Sequence, residues 1–213
     1  MYKKIFILNI LLLTLIPVVK SQSDSKWAIS LYSGLNSYST YNVQTTDGTP
    51  HLVRAPFSLR SSCSLQSDFD VGYLIDPIWE IRGQLGWENL RWDPGSGVIS
   101  MITIHTNIDL MYNLKNYLYG YYPDRLFDYQ FFVGAGYGAK LAYNHTVNIA
   151  AGYTPIIRGG IVLNFHLNEQ FAINGEISQN LIFDHSLTYN LHYIDNLTKF
   201  SLGFTYYFGV QGY

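Results

Sequence analysis

Apolar and polar residues alternate with a period of two in eight segments of this chain. A period of two places alternate side chains on opposite faces of a β-sheet. In the last segment, small or polar residues separate a regular apolar series, Phe200, Leu202, Phe204, Tyr206 and Phe208. The alternation predicts eight strands, at residues 27–36, 61–75, 78–91, 99–114, 129–143, 155–167, 170–183 and 197–209.

The fourth segment shows the pattern most clearly. One of its faces carries Ile102, Ile104, Thr106, Ile108, Leu110 and Tyr112, and the other carries Met101, Thr103, His105, Asn107, Asp109 and Asn113. A helix, with its period of 3.6 residues, does not produce this order. In the fifth segment Gly134, Gly136 and Gly138 fall on the polar face, which suits a crowded interior.

Charge content decides which face points outward. A water-soluble barrel is apolar inside and exposes charged residues outside. Here only 13% of residues are charged while 16% are aromatic, and several aromatic residues lie near strand ends, where membrane interfaces would meet them. The sequence therefore predicts an all-β fold, a closed eight-stranded antiparallel transmembrane β-barrel with up-and-down meander topology.

The first residues indicate export from the cytoplasm. Lys3 and Lys4 precede an apolar run at 5–19, and the small residue Ser21 follows. This run is short for a transmembrane helix and typical of a signal peptide. We expect a signal peptide at 1–21 and a single barrel domain at 22–213, with no lipid anchor because no cysteine ends the run.

The remaining composition excludes several classes of function. Without its three signal-peptide lysines the chain has 10 Lys and Arg residues against 15 Asp and Glu, so no nucleic-acid partner is expected. Cys63 is the single cysteine, which excludes an intramolecular disulfide and thiol-pair redox chemistry. No metal-binding motif or cofactor motif occurs, so neither a metal nor a cofactor is predicted.

The segments between the predicted strands suggest an orientation. An even number of strands brings both termini to one side, which we expect to be periplasmic, with short turns at 76–77 and 168–169. The long segments 37–60, 144–154 and 184–196 are then outer loops, where a protein partner or surface ligand would bind. The connection 92–98 is short for an outer loop, and 115–128 is long for a periplasmic one.

Charged residues on the inward face predict a network inside the barrel. We expect one cluster of Asp70, Glu80, Arg82 and Asp109 in the periplasmic half, and another of Lys140, Arg158 and Glu176 in the outer half. The short turns place Asp70 almost opposite Arg82, and Arg158 near Ser178. The residues counted as inward are Asp68, Asp70, Glu80, Arg82, Glu88, His105, Asp109, Lys140, Arg158, His166 and Glu176. Two interpretations remain open, a salt-bridged plug and a gated path for protons or ions.

Other titratable residues give weaker signals. His105 and His166 fit the hydrogen-bond network of the lumen. Asp184, His185 and Ser186 raise the possibility of an esterase at the outer rim, but consecutive residues of a strand point to opposite faces, which is poor geometry for a proton relay. We therefore do not predict an enzyme.

Four segments resemble the small OmpA-like outer-membrane β-barrels of Gram-negative bacteria. They lie at 107–114, 122–127, 131–138 and 202–208. The resemblance implies an outer-membrane location, contact with outer-membrane lipid, and recognition of the last strand by the barrel-assembly machinery. The residues carried over as this assembly signal are Phe200, Leu202, Phe204, Tyr206 and Phe208.

Two features depart from that family. Residues 209–213 extend past the usual terminal aromatic residue, and no peptidoglycan-binding domain follows, so wall tethering by that route is not expected. Members of the family serve as envelope-stabilising, adhesive or accessory proteins. We expect a structural or accessory role with a plugged lumen. The alternatives are a lipid-modifying enzyme using His185 and Ser186, or a narrow solute channel lined by Arg82, Asp109, Lys140 and Glu176.

Overall fold

The computed structural model describes residues 27–46, 49–54, 63–92, 99–121, 125–141, 153–168, 170–186 and 191–208. These ranges contain ten strands and one short helix. In chain order they are β1 (Trp27–Ser39), β2 (Tyr41–Thr46), β3 (Thr49–Arg54), β4 (Cys63–Leu74), β5 (Trp79–Trp92), β6 (Ile99–Asn113), α1 (Leu114–Tyr119), β7 (Phe127–Leu141), β8 (Tyr153–His166), β9 (Phe171–Ser186) and β10 (Leu191–Phe208).

Eight of these strands close into a barrel, which confirms the predicted fold class. Their order is β1, β10, β9, β8, β7, β6, β5 and β4, with β4 pairing back onto β1. All neighbours are antiparallel; Trp27 of β1, for example, pairs with both Phe208 and Tyr73. Closure pairs each of these strands with a neighbour on both sides, which satisfies the backbone groups that hydrocarbon cannot. The remaining strands, β2 and β3, form a separate hairpin.

The barrel is apolar outside and polar inside. Among inward side chains, Asp109 and Lys199 are 0% exposed, whereas the outward Leu202 is 74% exposed and Val133 is 68% exposed. This arrangement is the reverse of a water-soluble barrel and is the one that a lipid environment stabilises. Within the described ranges, no helix is long and apolar enough to cross a bilayer.

Aromatic side chains form a girdle at one end of the barrel. We call this end, where Trp27 and Phe208 lie, the terminal end, and the opposite end the loop end. The Trp27 and Tyr73 rings are 4.9 Å apart, and the Trp79 and Tyr112 rings are 4.8 Å apart. Phe171 contacts Tyr206 in the same way, at 4.9 Å. Amphipathic rings in such a belt occupy the boundary between hydrocarbon and water.

Each of two short turns at the terminal end is closed by a side-chain oxygen that accepts two backbone hydrogen bonds. Asp76 Oδ1 accepts hydrogen bonds from the backbone N–H groups of Ile78 (2.7 Å) and Trp79 (2.8 Å). Asn168 Oδ1 does so from Gln170 (2.8 Å) and Phe171 (2.9 Å). A short side chain that mimics a backbone acceptor stabilises a tight turn.

These turns are wider than predicted, which changes the register. Backbone hydrogen bonds close them from Ile75 N to Trp79 O and from Leu167 N to Phe171 O. Asp70 consequently pairs with Gln84, and Arg82 pairs with Gly72. Asp70 therefore lies diagonal to Arg82 instead of almost opposite it, and the two side chains still meet, with Arg82 Nη1 3.3 Å from Asp70 Oδ2. Arg158, expected near Ser178, pairs with Asn180, two residues farther along β9.

The loop end contains more regular structure than predicted. β9 continues to Ser186 and β10 begins at Leu191, which pairs with Ser186, so most of 184–196 is a hairpin instead of a loop. Similarly, β1 continues to Ser39, and β2 with β3 occupies much of 37–60. Strands that project beyond the hydrocarbon need no apolar outer face, so the alternation that marked the other strands is absent there.

Other connections differ less from expectation. α1 occupies the start of 115–128, where only a loop was predicted. Most of 92–98 and of 144–154 lies outside the described residues, and so do the signal peptide at 1–21 and the residues 209–213.

Candidate functional site: the ion-paired lumen

Five charged side chains from five strands meet inside the barrel. We call them the central cluster: Asp70 of β4, Arg82 of β5, Asp109 of β6, Arg158 of β8 and Glu176 of β9. All five are at most 2% exposed. They converge because inward positions recur at every second residue, and because long arginine side chains span the narrow interior of an eight-stranded barrel.

Arg82 contacts all three carboxylates of the central cluster. Its Nε and Nη2 donate to Asp109 Oδ2 at 2.9 and 2.7 Å. Its Nη1 donates to Glu176 Oε2 at 2.8 Å and lies 3.3 Å from Asp70 Oδ2. A planar guanidinium with five donors suits this arrangement, which a lysine ammonium could not reproduce.

Arg158 contacts two of the same carboxylates from β8. Its Nη2 donates to Glu176 Oε1 at 2.6 Å, and its Nε lies 3.5 Å from Asp109 Oδ1. Its Nη1 also donates to the Gln84 side chain. Both guanidiniums lie over the Phe132 ring, with their Cζ atoms 4.7 and 4.8 Å from its centroid. Stacking on an aromatic face adds cation–π attraction to the ion pairs.

The two predicted clusters are therefore wrong as they were divided. Arg158 and Glu176, assigned to the outer half, belong to one group with Arg82 and Asp109. Lys140 lies apart, 3.9 Å from Asp195 Oδ2, which also accepts a hydrogen bond from the Tyr38 hydroxyl. The division failed because strand spacing gives neighbours within a hairpin, whereas Arg82 reaches Glu176 across the lumen.

Glu80 is likewise separate from the central cluster in its hydrogen bonding. Its Oε2 accepts a hydrogen bond from Gln130 Nε2 at 3.3 Å, toward the terminal end. Hydrogen bonds continue around that end. Asn174 Nδ2 donates to Asn164 Oδ1 (2.5 Å), and Thr205 Oγ1 donates to Asn174 Oδ1 (2.6 Å). The Thr205 and Ser30 hydroxyl oxygens are 2.7 Å apart.

His166 and Asp128 close the network at the terminal end. The His166 Nε2 atom is 2.9 Å from Asp128 Oδ2, which places this histidine among polar partners as expected. Asp128 Oδ1 also accepts from Asn164 at 2.7 Å.

A second group of charges surrounds Lys199, and we call it the lysine cluster: Asp68, Glu88, His105 and Lys199. Lys199 Nζ lies 2.9 Å from Asp68 Oδ2 and 3.6 Å from Glu88 Oε2. His105 Nε2 is 3.0 Å from Asp68 Oδ1. An ammonium placed between two carboxylates offsets part of the cost of burying them.

Lys199 and Asp195 were missed in the sequence. Lys199 has the same strand parity as the inward residue Ser201, and that parity alone would have placed it in the lumen. Asp195 fell in a segment assigned to a loop, so its inward position required knowledge of the hairpin.

Glycines provide the space for these side chains. A Cβ at Gly86 would overlap the Asp68 carboxylate and the His105 ring, and a Cβ at Gly134 would overlap the Asp109 carboxylate. The strand backbone thus approaches the charged groups closely. The prediction of a crowded interior beside Gly134 agrees with this geometry.

An apolar layer lies between the lysine cluster and the loop end. Its pairs, contributed by six strands, are Leu90 with Met101, Ile156 with Ile182, and Tyr38 with Leu197. All six side chains are buried and form one contact cluster. Leu90 follows Glu88 by two positions, and Leu197 precedes Lys199 by two, so the layer lies on the loop-end side of these charges. Polar solutes that enter from the loop end would meet this layer before they reach the lysine cluster.

The residues of the suggested esterase lie on one strand. Asp184, His185 and Ser186 end β9, and their backbones pair with Tyr193, His192 and Leu191. Their side chains are outside the described part of the structure. In the described ranges, no three His, Cys, Asp or Glu side chains form a group that could hold a metal ion.

Comparison with solved structures identifies the architecture. OprG of Pseudomonas aeruginosa superposes with a TM-score of 0.53 at 12% identity, covering 88% of this chain and 99% of OprG. The fold is that of the small outer-membrane β-barrels. Neisserial surface protein A matches with a TM-score of 0.52 at 8% identity, covering 86% of this chain and 98% of its own.

A third outer-membrane barrel, AlkL, was determined in lipid bilayers and has a TM-score of 0.50. It is 15% identical, and the match covers 92% of this chain and 97% of AlkL. At these sequence identities the matches show a shared fold and nothing more. They confirm the predicted barrel architecture. No family model and no curated protein sequence matches the chain.

Proposed function

We propose that this protein is a non-enzymatic outer-membrane β-barrel that stabilises the envelope or serves as an accessory subunit, with a plugged lumen. One observation carries the proposal. Side chains of the central cluster, the lysine cluster and the apolar layer occupy successive levels of the interior, and their charged members bind one another. A solute path through the barrel would have to break several buried ion pairs, each of them strongly favoured over an unpaired buried charge.

The same proposal includes the orientation and biogenesis of the chain. The termini face the periplasm, the signal peptide at 1–21 directs export, and β10 is read by the barrel-assembly machinery. The loop-end segments 37–60, 144–154 and 184–196 then face outward and supply the contact sites for a protein partner or surface ligand. The support is the asymmetry of the barrel, because the two tight turns built on Asp76 and Asn168 are at the terminal end, as in outer-membrane barrels generally.

Planar-bilayer recording tests the plug. The wild-type protein should show no stable, large conductance. Stable channels whose ion selectivity changes on substitution Arg82→Gln would overturn the proposal in favour of a narrow channel. The Lys115→Gln variant is the control, because Lys115 lies on α1 outside the lumen and should leave any conductance unchanged.

The envelope role has a separate test. Deletion of the gene should increase detergent sensitivity and leakage of periplasmic enzymes, and the wild-type gene should restore both. Affinity purification from native membranes should yield a stoichiometric companion if the role is accessory. Intact barrier function together with no companion would contradict both forms of the proposal.

A further inference from the structure

The helix α1 exposes three consecutive apolar side chains at the terminal end of the barrel. Tyr117, Leu118 and Tyr119 are 61%, 54% and 65% exposed, and no residue of the helix is buried. Leu126, which precedes β7, is also exposed. Large apolar side chains exposed together in this way mark a surface that meets something other than water.

The exposed side chains of α1 adjoin the aromatic girdle through Tyr117. The Tyr117 ring is 5.8 Å from Tyr112, whose own ring is 4.8 Å from Trp79. Three rings therefore lead from the lipid-facing wall of β5 and β6 directly onto the helix. Since the wall contacts lipid, the exposed side chains of α1 that adjoin it meet the same leaflet.

Specific contacts fix α1 in this position. The Asn113 side chain caps the helix by accepting from Asn116 N at 2.9 Å, and Asn116 Nδ2 donates to Pro77 O in the neighbouring turn at 2.6 Å. Arg125 donates to Asn116 Oδ1 (2.8 Å) and to Gly120 O (2.9 Å). These hydrogen bonds hold α1, and with it the exposed side chains, at the terminal end of the barrel.

The charges of this region suit the polar side of a membrane. α1 contains Lys115 and no acidic residue. Lys115 Nζ donates to Phe127 O at 2.6 Å and lies 5.3 Å from the Phe127 ring. Cations beside tyrosines, above an apolar surface, are typical of the level of lipid headgroups.

We propose that α1 is an interfacial anchor that lies in the headgroup region of the leaflet at the terminal end, with glycerophospholipid as its partner. Tyr117, Leu118 and Tyr119 enter the boundary between headgroups and acyl chains, while Lys115 remains at phosphate level. The anchor fixes the depth of the terminal end of the barrel in the bilayer. It does not depend on whether the lumen conducts.

Depth-dependent fluorescence quenching tests this inference. In the full chain with Cys63→Ser, Leu118→Cys is labelled with an environment-sensitive fluorophore and reconstituted in phosphatidylcholine vesicles. Quencher lipids carry a spin label either near the headgroup or near the acyl-chain end. We expect severalfold stronger quenching by the shallow label than by the deep one. Tyr119→Cys provides a second site.

Two other positions calibrate the measurement. Gln170→Cys lies in a turn at the same end and is also exposed, so it should be quenched weakly by both lipids. Leu202→Cys, in the lipid-facing wall of β10, should be quenched more strongly by the deep label than position 118 is. Each variant is first shown to fold by gel mobility. If positions 118 and 119 are quenched no more than position 170, the anchor is refuted, whereas the conductance test of the plug is unaffected.

Discussion

Arg82 is the residue on which the central cluster depends most. Its guanidinium contacts Asp70, Asp109 and Glu176, all of them buried, and Arg158 reaches only two of these carboxylates. A buried ion pair often adds little stability relative to an apolar pair of similar volume. Removing one partner is different, because the remaining charges lose their compensation in a medium where water cannot replace it.

We therefore expect Arg82→Met to lower the free energy of unfolding by about 3–5 kcal/mol. Urea unfolding in lipid vesicles, followed by tryptophan fluorescence, measures this change. Lys115→Met is the matched control; its exposed ammonium contributes less than about 1 kcal/mol. Equal losses in the two variants would show that the central cluster is not a structural network.

Glycine positions test the crowding of the lumen. Gly86→Ala forces a methyl group against Asp68 and His105 and should destabilise the barrel by about 1–3 kcal/mol. Gly175→Ala is the control, because a Cβ there meets nothing within 4 Å. It should change stability by less than about 0.5 kcal/mol. The same unfolding assay compares them; a harmless Gly86→Ala would mean that the charged side chains have room to move aside.

Among the elements, β10 closes the barrel and carries the proposed assembly signal, and a pair of matched substitutions can separate these two roles. It closes the barrel by pairing with β1 and β9, and its outward face carries the proposed assembly signal. Its aromatic residues at 204, 206 and 208 also contribute to the girdle, so a loss of function there can reflect lost lipid contact instead of lost recognition. A girdle residue on another strand distinguishes the two.

Phe208→Ser should reduce the amount of assembled barrel in cells severalfold more than Phe165→Ser. Both side chains lie at the terminal end and are similarly exposed, at 37% and 43%, so they lose comparable lipid contact. Outer-membrane fractions separated on semi-native gels give the folded amount. Refolding of both purified variants in vesicles should be alike. Equal assembly in cells would exclude a special role for the last strand.

The whole molecule inverts the usual distribution of polar and apolar residues. Its interior is held by ion pairs and side-chain hydrogen bonds together with the apolar layer, and its exterior contacts hydrocarbon. Each barrel strand is hydrogen-bonded to a neighbour on both sides, so unfolding must break many backbone hydrogen bonds in an environment that offers no replacement. We therefore expect the folded barrel to resist denaturation by detergent until it is heated.

Accordingly, the purified protein should migrate differently on detergent gels before and after boiling, and it should require detergent or lipid to remain dispersed. Comparing boiled and unboiled samples checks the first expectation, and light scattering in detergent-free buffer checks the second. A monomer that is stable in plain buffer, with mobility indifferent to boiling, would contradict the membrane assignment.

The sequence by itself determined the architecture. A period of two in eight segments, with too few charges to cover an outer face, leaves a closed barrel in lipid as the arrangement that satisfies both backbone and side chains. The reason is local, since strand parity assigns each side chain to a face without reference to any other strand. Lys199 could have been placed by the same rule, from its parity with Ser201.

Only the tertiary structure decided how the lumen is organised. Parity says that Arg82 and Glu176 point inward, but their contact depends on the stagger of strands around the closed barrel and on the reach of a long side chain. The turns at Asp76 and Asn168 shifted the register, and the projecting β9–β10 hairpin brought Asp195 to Lys140. The apolar layer and α1 became visible in the same way, because each depends on which residues from distant segments share one level of the barrel.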